Sequence, residues 1–63
     1  MKTLYKKYSI SGYLVEARQL NIIQIGIYVN EIQLVAVDII TSKRYVHEQA
    51  RTLVEVACAV LDH

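Results

Sequence analysis

The chain has no proline, no phenylalanine and no tryptophan, only two glycines and a single cysteine. Cys58 alone excludes an internal disulfide. A closed metal site is also excluded by supply: His47 and His63 are sixteen positions apart, and the strands add only Glu16 and Asp38 as possible ligands. No cofactor is implied. Without proline, and with Gly12 and Gly26 isolated, there is no linker, repeat or low-complexity run, so residues 1–63 read as a single domain. No charge of one sign dominates. Seven basic and six acidic residues leave a formal net charge of +1, too balanced to imply a nucleic-acid or membrane partner by itself.

Long apolar runs are missing as well. The richest stretch, Ile22 to Ile40, is broken by Gln24, Asn30, Glu31, Gln33 and Asp38, which argues against a membrane span. Lys2, Lys6 and Lys7 are followed by Ser9-Ile10-Ser11-Gly12-Tyr13, which is not the apolar core of a signal peptide. A soluble, cytoplasmic protein is expected, and a lone cysteine suits a reducing compartment.

What is present is greasy for so short a chain. Sixty-three residues enclose a small core, yet 54% of them are hydrophobic. With disulfide and metal excluded, a second subunit is the remaining way to stabilise such a chain.

The pattern predicts an α+β fold, a three-stranded antiparallel sheet packed against one C-terminal helix in the order β-β-β-α. The first element runs from about Tyr5 to Arg18, rich in residues that suit a pleated, half-buried surface. Its apolar parity changes at Gly12, which suggests a bulge or a close backbone approach, an unbulged strand being the alternative. Gln19-Leu20-Asn21 reads as a turn. A second strand from Ile22 to Val29 alternates Ile23, Ile25, Ile27 and Val29 with Gln24, Gly26 and Tyr28. Asn30-Glu31 reads as a two-residue hairpin turn leading to a third strand, Ile32 to Ile40. That register sets Val29 against Ile32, Ile27 against Leu34 and Ile25 against Ala36, with Asp38 on the same face.

The other face then carries Tyr28, Val35, Val37 and Ile39, and is apolar where a solvated sheet face is mostly polar. After Thr41-Ser42-Lys43-Arg44, where Thr41 or Ser42 is a candidate helix cap, the helical period runs from about His47 to Leu61. Ala50, Leu53, Val54, Ala57 and Leu61 form one stripe, with Val56 and Val60 on its flank and Ala59 nearly opposite its centre.

No side chain carries an obvious reaction. Cys58 lies near the C-terminal end of the helix among apolar neighbours, where the dipole disfavours a thiolate, so it reads as a core or interface residue. His47 reads as a solvated or capping residue and His63 as a frayed end. Asp38 lacks a second carboxylate at a catalytic spacing and reads as exposed or paired, with a charged partner contact as the sharper alternative. Lys6 and Lys7 between Tyr5 and Tyr8 match a single-strand stacking pattern, and more simply an edge strand guarded by lysine.

The expected function is therefore a small non-enzymatic protein-interaction module, a homodimer formed through Tyr28, Val35, Val37, Ile39, Val56 and Val60. The alternatives are a nucleic-acid-binding sheet using Lys6, Lys7, Lys43 and Arg44, and a small regulator or inhibitor capping a larger protein.

Overall fold

The computed structural model describes residues 1–63 and is α+β, an antiparallel sheet with one C-terminal helix. The sheet has four strands rather than the expected three: β1 Lys2–Tyr8, β2 Leu14–Asn21, β3 Gln24–Val29 and β4 Ile32–Asp38. They lie in the order β1-β2-β3-β4, so every pair is a hairpin between chain neighbours. A 3₁₀ turn at Lys43–Tyr45 leads into α1, Val46–Leu61.

The extra strand comes from the segment read as one long strand around Gly12. Gly12 has φ +92°, a conformation that favours glycine, and it closes a chain reversal instead of a bulge. Ser9 organises the reversal: its N–H donates to Tyr13 O (2.8 Å), its carbonyl accepts from Gly12 N (3.0 Å), and its hydroxyl accepts from Tyr13 N (3.0 Å). The parity change at Gly12 is thus the junction of two strands.

The next turn lies later than expected. Gln19 and Asn21 still pair with β3, and Ile22-Ile23 form the tip, where Asn21 Oδ1 accepts from Ile23 N at 2.9 Å. Such an Asx contact mimics a backbone turn. The Asn30-Glu31 turn is as expected. Both residues have positive φ (50° and 73°), as a two-residue turn matched to the sheet twist requires. Asn30 also accepts from Leu14 N through Oδ1 (3.0 Å), which ties this turn to the start of β2.

The register beyond that turn differs from expectation. Val29 pairs with Ile32, but Tyr28 pairs with Gln33 and Ile27 with Val35, leaving Leu34 as the extra residue of a bulge. Ile25 then pairs with Val37, Gly26 with Ala36 and Gln24 with Asp38. One inserted residue inverts the face of everything after it. Val35 and Val37 therefore share the helix side with Ile25 and Ile27, and Ile39 packs against the core there. Asp38 and Ala36 turn to the opposite face.

The core lies between that side of the sheet and α1. Val46, Ala50, Val54 and Cys58 recur every four residues and meet Leu4, Val15, Ala17, Ile25 and Ile27. The helix lies over β1 and β2, reaches β3 and leaves β4 uncovered. Neither Thr41 nor Ser42 caps it, since Tyr45 occupies the N-cap position without a side-chain hydrogen bond. At the other end the Asp62 carboxylate accepts from Ile10 N (2.8 Å) and Ser11 N (3.0 Å), locking the helix terminus to the β1–β2 turn.

Candidate interaction surface

The face away from the helix is polar and closed on itself. Arg18 stacks on the Tyr28 ring at 4.2 Å and pairs with Glu16 (2.7 Å) and Glu31. Hydrogen bonds from its guanidinium to these two carboxylates raise its pKa. The Tyr28 hydroxyl lies 3.1 Å from Gln33 Oε1 and 3.2 Å from Met1 Sδ. Tyr28 is 6% exposed, so this tyrosine is sealed by its own chain and offers little to a partner. No second apolar sheet face exists, because the bulge at Leu34 moved its aliphatic members to the helix side.

Of the other expected interface residues, Val35 and Val37 lie on the helix side of β4, Ile39 packs against the core, and Val56 and Val60 are exposed on the helix. A groove of about 380 Å³ runs between β4 and α1, with Val37, Ile40, Tyr45, Thr52 and Leu53 in its walls. Leu53 lines this groove, and Val56 and Val60 at i+3 and i+7 from it share its flank of the helix. Val35, Val56 and Val60 are 49%, 57% and 70% exposed, high for aliphatic side chains with so many like neighbours. Ile40, 85% exposed, adds to the apolar wall of the groove. Glu48 is the only charged residue in the groove lining.

Gln49 joins the two walls. Its Nε2 donates to Asp38 O (2.9 Å) and its Oε1 accepts from Ile40 N (3.1 Å). One side-chain amide thus takes the outward carbonyl and N–H at the end of β4, as a neighbouring strand would. From Ile32 to Val37 the strand has no such cover and carries no charge. The opposite edge, β1, carries Lys2, Lys6 and Lys7, which discourage edge pairing.

The four basic residues considered for nucleic acid do not form one patch. Lys43 lies beside Lys2 and His47 at one end of the sheet, whereas Lys7 lies with Glu55 and Asp62 at the other. Lys6 sits on the face opposite Lys7 and pairs across the strands with Glu16. Arg44 is exposed in the 3₁₀ turn next to Lys43.

Cys58 is buried in the core, where desolvation pushes its thiol pKa up. His47 is surface-exposed and its Nδ1 lies 3.2 Å from Leu4 O, binding the helix start to β1. No three His, Cys, Asp or Glu side chains converge as a metal-binding group. No helix is long and apolar enough to cross a membrane.

Sequence reasoning missed Ile40, Tyr45 and Gln49 as members of this surface. A helical projection places Leu53 beside Val56 and Val60, but the bulge that turns Val37 to the side of Leu53 has no mark in the residues around Leu34. Comparison with family models, with curated proteins and with solved structures found no match.

Proposed function

We propose that the chain is a non-enzymatic interaction module that self-associates through the groove between β4 and α1. The observation that carries this reading is that α1 covers β1 to β3 and leaves the aliphatic inner side of β4 open. A sheet of four strands is about 19 Å wide and a helix with its side chains about 10–12 Å, so one helix covers little more than half of it. The uncovered remainder holds Val35, Val37 and Ile40, and each medium-sized aliphatic fully buried contributes about 1.5–3 kcal/mol. A stable association uses about 800 Å² per partner, close to a fifth of the chain's 4371 Å² surface.

Size-exclusion chromatography with light scattering across a dilution series tests the reading. A species of twice the chain's 7.2 kDa is expected at micromolar concentration. A cooperatively folded monomer at that concentration rejects it. A monomer that also binds duplex or single-stranded probes at low salt, with affinity falling steeply as salt rises, moves the reading to a nucleic-acid-binding sheet.

A further inference from the structure

The charge on α1 is confined to one side. At 100° per residue, Glu48, Arg51, Glu55 and Asp62 at its end fall within a sector of about 60°. Within it Glu55 and Asp62 lie beside Lys7 of β1, Arg51 pairs with Glu55 at 3.1 Å, and Glu48 reaches the lining of the groove. The core side holds Val46, Ala50, Val54 and Cys58. Apart from Glu48, which lines the groove, the remaining surface, from the groove flank around to the side pointing away from the sheet, carries Leu53, Val56, Ala59 and Val60 with Gln49 and Thr52, and no formal charge. A helix that is uncharged over so much of its circumference is built to be covered on more than one side.

We infer that the occupant of the groove is α1 of a second copy, inserted reciprocally, so that two helices lie side by side between two sheets. This arrangement rests on the self-association reading and specifies its geometry. Two helices pack with axes about 8–10 Å apart, which suits the width of a four-stranded sheet. The lengths agree as well: the 16 residues of α1 and the 7 residues of β4 both span about 23–24 Å. A two-fold axis sets Leu53 and Val60 of one helix against their counterparts. It places Val56 and Ala59 against Val35 and Val37 of the other copy. Ala59 and Thr52 are small enough to let the helix approach the facing sheet closely. Arg51, Glu55 and Asp62 stay at the outer rim, in water.

The test is a sample mixed from isotope-labelled and unlabelled chains, read by intermolecular nuclear Overhauser effects, together with Val60→Arg. Val60 is 70% exposed, so the variant keeps its fold, and circular dichroism verifies this. Contacts between Val56 methyls and the partner's Val35 and Val37 methyls are expected. Val60→Arg then weakens the dimer roughly 100-fold, because the arrangement buries two unpaired guanidinium groups against each other. A wild-type monomer removes the underlying reading and this arrangement with it. A dimer that shows contacts between the β4 backbones and survives Val60→Arg keeps self-association and overturns the helix exchange.

Discussion

Gly26→Ala probes how tightly the polar face of the sheet is closed. Gly26 is buried in the middle of β3 opposite Arg18, and its φ is not positive, so alanine meets no backbone strain there. A Cβ at this position would lie 2.9 Å from Tyr28 Cε1 and 3.0 Å and 3.2 Å from the two methyl carbons of Leu20. The tyrosine is poorly placed to yield, because Arg18 stacks on its ring and Gln33 and Met1 lie against its hydroxyl. Overpacking of this kind costs about 1–3 kcal/mol. Reduced freedom in the unfolded chain returns about 0.4–1 kcal/mol. A net loss of about 1–2 kcal/mol follows, equivalent to a melting temperature lower by roughly 4–15 °C in a domain of this size. Thermal unfolding followed by circular dichroism measures it, at fixed protein concentration because association would itself shift the midpoint. In a Leu20→Ala background two of the three close contacts disappear and the penalty shrinks. A stabilised Gly26→Ala protein, or an equal penalty with and without Leu20, would refute the view that Leu20 and Tyr28 form a rigid cover.

Asn30→Ala places alanine at φ 50° and removes the acceptor for Leu14 N; a loss of about 2 kcal/mol is expected in urea unfolding, and an unchanged midpoint contradicts it. Asp62 titrates below the ordinary carboxylate range. Desolvation pushes it up, but hydrogen bonds from the Ile10 and Ser11 amides and from the Ser11 and Ser9 hydroxyls outweigh that effect. Its contribution is therefore present above its unfolded pKa and lost as pH falls through the lower folded value. Asp62→Asn should show a smaller loss of stability than the parent when thermal unfolding is compared between neutral and strongly acidic pH, and parallel profiles would exclude this role. Cys58, buried and with its thiol pKa raised by desolvation, should react with a thiol reagent only as fast as the fold opens; labelling of the native protein at the rate of a free thiol would show otherwise.

The legible part of the sequence was the part governed by period. Alternation through Ile25 and Ile27, the stripe of Ala50, Leu53, Val54, Ala57 and Leu61, and the Asn30-Glu31 turn each depend on neighbours a few residues away, and each has its expected form. Gly12 marks a change of parity that leaves a bulge, a close backbone approach and an unbulged strand all open, because a glycine at positive φ serves bulges and chain reversals alike. The bulge at Leu34 had no sequence mark. Leu34 and Val35 are equally apolar, and the choice between them is made by how β4 lies against β3. That single residue decides which side of the sheet receives Val35, Val37 and Asp38. Of the side chains expected at an interface, Val35 and Val37 therefore lie on the helix side instead of a second face, and only Val37 lines the groove. Tyr28 is a polar-tipped ring that the chain itself satisfies.

The two margins of the sheet differ: β1 bears Lys2, Lys6 and Lys7, while β4 is uncharged from Ile32 to Val37. A ribbon with two receptive margins can accept copies head to tail without limit and grow into a filament. Here the lysine-bearing margin resists docking by the next molecule, and the Gln49 amide blunts one end of the receptive one. If the proposed association through the β4 side holds, the margins left facing outward are the lysine-bearing ones, and growth is expected to stop at the dimer.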